Sequence, residues 1–322
     1  MIILGKKFRV IHLDQFATSG LFDEPTLPIW KEIKELLAEC VSRGKVVCPI
    51  PTEHFLESSK KSNSLRNNLH SEFSILSSGF SFKNELLLTS QIIMSLIRKN
   101  NLTINTFLQK GVFEKEPRND QWDKVSETSS QFQTIISENT KLPNFVKTSG
   151  GSKGIDSKLR KTFIQTFEHL HVSSFIAGLE KLYKNKYIKV DGTYFRGQPI
   201  PNWIDQVIYR LVTVHKIKDK EIQKLIAYFN KHGFKDISTL KVRSSLTALI
   251  RIEQRQENSS DHIDLLRIAS GLQVSDVLLT DKRRKSEILE IGLDEKYNTL
   301  VLSGTPADLE ELKGYLQSVV SD

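Results

Sequence analysis

The chain has 322 residues, of which 39% are hydrophobic and 26% are charged. This balance is typical of a folded globular protein and excludes a disordered chain. No apolar run reaches the roughly 18 to 20 residues that span a bilayer, and the apolar part of the N-terminus is too short for a signal peptide. We therefore expect a cytoplasmic protein with no membrane partner. Cys40 and Cys48 fall in a helical and a strand pattern, which indicates buried thiols rather than zinc ligands.

The net charge of +8 is unevenly distributed along the chain. Residues 141–256 carry 22 basic and 9 acidic side chains, whereas residues 257–322 carry 7 basic and 13 acidic ones. A basic segment next to an acidic one favours a polyanion bound by the first and a metal-dependent reaction at the second. The alternative is that the lysines only keep surface helices solvated.

The first part of the chain shows the alternation of a parallel α/β sheet. Its predicted elements are a strand at 8–14, a loop at 18–20, a helix from Pro28 to Gly44, a strand at 46–50 and a helix that begins near Thr52. Strand, helix and strand with short links form a right-handed crossover between parallel strands. Asp14 and Glu53 each follow a strand, so we expect them at the same edge of the sheet.

The same alternation resumes near the C-terminus. Its predicted elements are a strand at 277–281, a helix at 285–291, a strand at 299–302 and a helix at 306–319. We therefore predict one discontinuous α/β domain, 1–65 and 257–322, interrupted by a basic and mostly helical insertion at 66–256. The helices predicted in the insertion are 85–99, 156–183 with a break near 171–174, 203–214, 219–230 and 239–255.

Three acids near the C-terminus are candidates for a metal site. Asp261 and Asp264 lie one turn apart at the start of a helix and so project from one face. Asp281 ends the strand at 277–281, and strands of this kind place their last residue at the edge where α/β ligand sites lie. Oxygen-only ligands suit Mg²⁺ or Mn²⁺. The alternatives are a helix cap or capping box for the two helix acids and a simple turn at Asp281.

Two groups of basic residues are candidates for contact with nucleic acid. Lys282, Arg283 and Arg284 follow Asp281 directly, where they can donate to a phosphate, or they form only a solvated helix start. We expect the insertion to supply most of the affinity. The basic residues chosen there are Lys147, Lys153, Lys158, Arg160 and Lys161.

With these acids in this order, the chain resembles the PIN-like nucleases over roughly 8–60 and 258–320. The most specific part is the Asp-x-x-Asp helix followed by the run from Asp276 to Arg283. By position, Asp14 corresponds to the first family acid, Glu53 to the second and Asp281 to the last. The third corresponds to Asp261 or Asp264. The long insertion and Phe16, which stands where small polar residues are common, depart from the family pattern.

The resemblance implies a three-layer fold with a central parallel sheet and an acidic pocket that binds Mg²⁺ or Mn²⁺. It also implies hydrolysis of phosphodiester bonds in single-stranded or structured RNA. We expect RNA rather than DNA as the partner, and a neutralising protein as a second partner. The metal ligands are expected to be Asp14, Glu53, Asp261 and Asp281, with Asp264 assisting catalysis. The alternative is a non-catalytic PIN-like module that binds RNA or protein. A phosphatase of the haloacid dehalogenase type is disfavoured because Asp14-Gln15-Phe16 lacks the required Asp-x-Asp.

Overall fold

The computed structural model describes residues 5–23, 27–54, 63–111, 157–186, 194–195, 198–199, 203–252 and 258–321. These residues group into two compact units. The sheet unit contains the described residues within 5–83, 103–111 and 270–321, and the helical unit contains those within 84–102 and 157–269. The predicted division at 65/66 and 256/257 stays a prediction. Compactness places 66–83 and 103–111 with the sheet and 258–269 with the helices.

The strands are short and the helices make up most of the described chain. The strands are β1 (Arg9–Leu13), β2 (Val46–Val47), β3 (Phe80–Phe82), β4 (Leu108–Lys110), β5 (Tyr194–Phe195), β6 (Gln198–Pro199), β7 (Val277–Leu279) and β8 (Leu300–Leu302). The helices are α1 (Gln15–Phe22), α2 (Pro28–Ser42), α3 (Asn63–Ser77), α4 (Glu85–Arg98), α5 (Ile104–Phe107), α6 (Ser157–Asn185), α7 (Trp203–Thr213), α8 (Asp219–His232), α9 (Ser238–Ile252), α10 (Ser259–Gly271), α11 (Lys282–Glu290), α12 (Leu293–Tyr297) and α13 (Pro306–Ser321).

The sheet unit is built on four parallel strands in the order β2-β1-β7-β8. The antiparallel pair β3 and β4 lies beside them, because Ile50, just after β2, bridges to Ser81. Residues 10–13 and 277–279 are all buried, so the central strands are covered on both faces. Burial of this kind explains why these strands are continuous apolar runs in the sequence. The predicted α/β class with a central parallel sheet is confirmed.

One face of the sheet packs against α1, α2, α3 and α13. Alternate strand residues, such as Ile11 and Leu13, contribute to this core together with Leu37 of α2 and Leu312 and Leu316 of α13. Pro28 begins α2, where its missing N–H costs nothing and its fixed φ angle suits the first turn. The amphipathic pattern that predicts α2 and α13 is therefore the pattern of burial against the sheet.

The predicted loop at 18–20 is wrong, since α1 continues through it. Gly20 lies against the indole of Trp30, and a Cβ there would be 2.4 Å from Trp30 Cε2. The glycine therefore permits close packing of a helix instead of marking a turn. The predicted break at 171–174 is also wrong, because α6 is continuous from Ser157 to Asn185.

The helical unit has its own apolar core. Phe175 of α6 packs edge-to-face with Phe229 of α8, at a centroid distance of 5.1 Å, and both rings are buried. Leu240 and Leu246 of α9 are also fully buried. The helices at 85–99, 203–214, 219–230 and 239–255 are confirmed to within three residues at each end. No helix in the described ranges is long and apolar enough to cross a membrane.

A close backbone approach in the sheet unit gives a first prediction. A Cβ at Gly271 would lie 2.2 Å from Nδ1 of His12, whose ring is buried and stacks on Phe82 at 4.6 Å. We expect Gly271→Ala to displace this ring and to lower the free energy of unfolding by about 1 to 3 kcal/mol. Gly314→Ala is the matched control, because no atom lies within 4 Å of its Cβ position in α13. Urea denaturation of both variants measures their free energies of unfolding. Equal values for Gly271→Ala and Gly314→Ala would contradict the packing argument.

Candidate active site

The order of the strands places a crevice between β1 and β7. The chain leaves β1 towards β2 on one side, whereas β7 leads to β8 on the other side. In open α/β sheets, ligands bind outside the carboxyl ends of the two strands where the direction reverses in this way. Leu13 pairs with Leu279 in the register, and the Asp14 amide donates to the Leu279 carbonyl at 3.0 Å. The residues that follow both strands therefore meet at one edge, which we call the carboxyl edge.

Asp14 is the first acid at the carboxyl edge. Its side chain is only 7% exposed and caps α1, where Oδ1 accepts a hydrogen bond of 2.6 Å from the Gln15 amide. Its other oxygen, Oδ2, accepts a hydrogen bond of 3.2 Å from the hydroxyl of Thr280. These bonds fix the orientation of the carboxylate at the carboxyl edge.

Asp281 is the second acid at this edge, one residue beyond Thr280. It caps α11, since Oδ1 accepts from the amides of Arg283 at 2.8 Å and Arg284 at 3.1 Å. Within the described part of the chain, its Oδ2 accepts no hydrogen bond. The side chain is half-buried, so this oxygen can face a solvated ligand. The turn that the sequence left open is thus a helix cap, and a cap of this kind does not occupy both oxygens.

Glu53 is the third acid of the sheet unit. Its side chain is 5% exposed, and that of the neighbouring His54 is 3% exposed. His54 Nε2 lies 3.3 Å from the carbonyl oxygen of Leu13, the residue before Asp14, and its ring packs edge-to-face on Phe73. The contact of His54 brings the loop after β2 next to the end of β1. The structure thus places Asp14 and Asp281 at the carboxyl edge, while a shared site with Glu53 stays a prediction.

One acid at this edge was missed by the sequence analysis. Asp308, in the first turn of α13, accepts hydrogen bonds from the Ser303 amide at 2.7 Å and from Lys285 Nζ at 2.7 Å. Burial tends to raise the pKa of Asp308, but the bonds from Lys285 and Ser303 and the Lys285 charge hold that pKa below its ordinary value. Ser303 directly follows β8, so the rule used for Asp14 and Asp281 could have drawn attention to this position.

Asp261 and Asp264 belong to the helical unit. Asp261 forms a reciprocal capping box with Asn258: its Oδ2 accepts from the Asn258 amide at 3.1 Å, and its own amide donates to Asn258 Oδ1 at 2.9 Å. Asp264 lies 4.0 Å from the guanidinium of Arg267. The capping box that the sequence left open is therefore present, with Asn258 as the cap. Participation of either acid in a site with Asp14 and Asp281 stays a prediction.

The basic residues after Asp281 differ in accessibility. Lys282 and Arg283 are exposed, so both can reach a phosphate at the carboxyl edge. Arg284 is 0% exposed, and its Nη1 donates to Oε2 of Glu287 at 2.6 Å. As placed, Arg284 does not contact a nucleic acid, and we leave it out of the candidate site.

The basic residues predicted for the insertion are only partly described. Lys147 and Lys153 lie outside the described residues, and only the helical backbone of Lys158 is described. Arg160 and Lys161 lie on α6, where Arg160 is half-buried and Lys161 is exposed. Lys161 is therefore accessible to solvent, and the predicted role of all five residues stays a prediction.

The donors at the carboxyl edge suit a hard cation. Mg²⁺ takes oxygen ligands, keeps several waters and is often bound through only one or two protein carboxylates. Asp14 and the unoccupied oxygen of Asp281 match that requirement. The described residues do not form a metal site with three or more protein ligands, because no group of three His, Cys, Asp or Glu side chains among them is placed to hold a metal ion. Two carboxylates at this edge, Asp14 and Asp281, could therefore serve as ligands of such a cation.

Comparison of the chain with protein-family models, with curated proteins and with solved structures gives no match.

Proposed function

We propose that this protein is a metal-dependent endoribonuclease with a three-layer PIN-like fold, whose active site is the carboxyl edge. One observation carries the proposal. Asp14 and Asp281 follow adjacent parallel strands at the point where the strand order reverses, and Thr280 links them through its hydrogen bond to Asp14. The parallel sheet, covered on both faces, is compatible with the three layers.

Asp14 and Asp281 would hold Mg²⁺ or Mn²⁺, and Glu53, in the loop after β2, is a further candidate. When bound, such an ion supplies an activated water and neutralises charge at the phosphate. The hydroxyl of Thr280 and the Gln15 amide orient Asp14 before any ligand arrives, which reduces the cost of reorganisation.

The exposed residues Lys282 and Arg283 give this edge a way to bind the substrate. They occupy the first turn of α11, directly after Asp281. Their cationic groups can donate charge-assisted hydrogen bonds to phosphate oxygens on either side of the cleaved bond. Polyanion binding also agrees with the 22 basic and 9 acidic residues of 141–256. We therefore propose RNA as the substrate class.

A second candidate is a PIN-like module that binds RNA or protein without cleaving it. One observation favours it: Asp14, Asp281 and Asp261 all serve in helix capping. Acids that cap helices would be retained in the sequence even after the protein had lost catalytic activity. Under this alternative the protein binds RNA through its basic residues, and divalent cations change nothing.

A cleavage assay separates the two candidates. The full chain is incubated with labelled single-stranded and structured RNA and with DNA of the same sequence, in Mg²⁺, in Mn²⁺ and in chelator. The proposal expects RNA cleavage that needs the cation and that Asp281→Asn lowers at least about 100-fold, since loss of a metal-ligand charge costs more than the 10- to 100-fold of an outer-sphere change. Asp219→Asn, at a 57%-exposed acid of α8, should cleave normally. RNA binding without cleavage in all three conditions would establish the second candidate.

A further inference from the structure

A basic cavity lies at the opposite end of the strands from the candidate active site. Its volume is about 390 Å³, within the range of small-molecule sites. It opens beside Arg9, the first residue of β1, and Asp276, the residue before β7. The lining residues are Lys6, Lys7, Phe8, Arg9, Lys45, Asp276 and Val319. All of them belong to the sheet unit.

Two of the lining cations are held in place by the fold. Lys6 Nζ lies 2.7 Å from Asp276 Oδ2 and donates to the Val274 carbonyl at 3.0 Å. Lys45 Nζ donates to the carbonyls of Val319 and Val320, each at 3.2 Å. The latter pair lies at the C-terminal end of α13, so Lys45 offsets the partial negative charge of that helix end. Both ammonium groups are thus positioned before a ligand binds.

The other two cations are available to a ligand. Lys7 is exposed and makes no ion pair or hydrogen bond within the described ranges. The side chain of Arg9 is 56% exposed, and its Nη1 lies 3.7 Å from Asp276 Oδ1. Four cations therefore surround a single acid, and that acid also accepts the Val10 amide at 2.7 Å. The excess positive charge favours an anionic ligand.

The cavity wall also carries an aromatic ring. Phe8 is half-buried, and its ring is anchored by Phe80 at a centroid distance of 5.3 Å. An aromatic ring fixed in this way offers a surface on which a nucleobase stacks. A single phosphate ion would leave most of the 390 Å³ empty.

We propose that this cavity binds a nucleoside phosphate, with the phosphate against Lys7 and Arg9 and the base against Phe8. The ligand is either a free nucleotide or the 5′-phosphorylated end of a nucleic acid strand, because both carry the same groups. The site is separate from the carboxyl edge and needs no divalent ion. Its failure would therefore leave the proposed nuclease activity untouched.

Isothermal titration of the full chain in chelator tests the proposal. The probes are inorganic phosphate, ADP and a short oligoribonucleotide with either a 5′-phosphate or a 5′-hydroxyl. We expect ADP to bind about tenfold more tightly than inorganic phosphate, because base stacking adds to the phosphate contacts. A 5′-phosphorylated strand that displaces ADP, when the 5′-hydroxyl strand does not, assigns the site to strand ends. Displacement by neither strand assigns it to free nucleotides.

Matched variants locate the binding. Lys7→Ala and Arg9→Ala should each weaken ADP binding about tenfold through loss of a charge-assisted contact, with unfolding temperatures that show intact folding. Lys31→Ala, at an exposed lysine of α2, should bind ADP as the unmodified chain does. The proposal is overturned if ADP does not bind at millimolar concentration or binds no better than inorganic phosphate. It is also overturned if Lys31→Ala weakens binding as much as the cavity variants do.

Discussion

Replacement of Asp14 by asparagine is expected to lower metal-dependent RNA cleavage by at least about 100-fold, with little change in stability. The asparagine side chain keeps an oxygen that can accept from the Gln15 amide, so the cap on α1 is largely preserved. We therefore expect the free energy of unfolding to fall by on the order of 1 kcal/mol or less. The negative charge that a divalent cation requires is lost. Activity and stability therefore respond differently to one substitution.

The measurement is single-turnover cleavage of labelled RNA in Mn²⁺, beside thermal unfolding with and without Mn²⁺. The unmodified chain should melt at a higher temperature when Mn²⁺ is present, because a ligand that binds only the folded state stabilises it. Asp14→Asn should lose this shift. Thr280→Val, which removes the hydroxyl that donates to Asp14 Oδ2, should lower cleavage about tenfold while part of the Mn²⁺ shift remains. Normal cleavage by Asp14→Asn would falsify the proposed role of this acid.

The framework of the sheet unit could be predicted because its signals are local and strong. Buried parallel strands are short apolar runs, and the amphipathic spacing of α2 and α13 reflects their packing on the sheet. Acids that directly follow such strands are carried to the carboxyl edge by the topology, so Asp14 and Asp281 could be placed from the order of elements alone. The expected α/β class follows from the same argument.

The errors have a common physical origin in contacts between residues distant in the sequence. Gly20 is typical of a turn, but in the fold it makes room for the ring of Trp30. A break was expected near 171–174, yet α6 continues there, and Nδ1 of His171 hydrogen bonds with the Ser244 hydroxyl at 2.7 Å. Tertiary packing of this kind overrides local preference. The pair β3 and β4 was missed as well; these strands pair with each other and meet the parallel sheet through the bridge from Ile50 to Ser81.

The site could be predicted at the level of residues but not of atoms. Sequence spacing cannot show that Asp281 uses one oxygen for the cap and leaves the other without a hydrogen bond. It also treats Lys282, Arg283 and Arg284 as equivalent, although the helical rotation of α11 exposes the first two and buries the third. A run of adjacent charges on a helix faces several directions, so at most part of it can serve one ligand.

The burial of Arg284 gives the prediction with the largest expected effect on stability. Its side chain is 0% exposed and that of Glu287 is 3% exposed, with Nη1 and Oε2 2.6 Å apart. Removal of one partner of a buried pair leaves the other charge in a poorly solvated environment, which costs about 3 to 5 kcal/mol. We therefore expect Glu287→Ala to lower the free energy of unfolding by about 3 kcal/mol. Glu32→Ala, whose 50%-exposed carboxylate pairs with Lys313, should cost less than about 1 kcal/mol.

The double variant Arg284→Met, Glu287→Leu distinguishes the loss of a buried ionic partner from simple loss of packing. It removes both charges and keeps most of the side-chain volume, and replacements of this type are often neutral or stabilising. Equilibrium urea unfolding should therefore show the double variant to be more stable than Glu287→Ala, by about 2 kcal/mol or more. If it is instead the less stable of the two, the pair contributes net attraction beyond its desolvation cost. That result would show that the ion pair between Arg284 and Glu287 stabilises the fold, whereas we expect the pair to contribute no net stability.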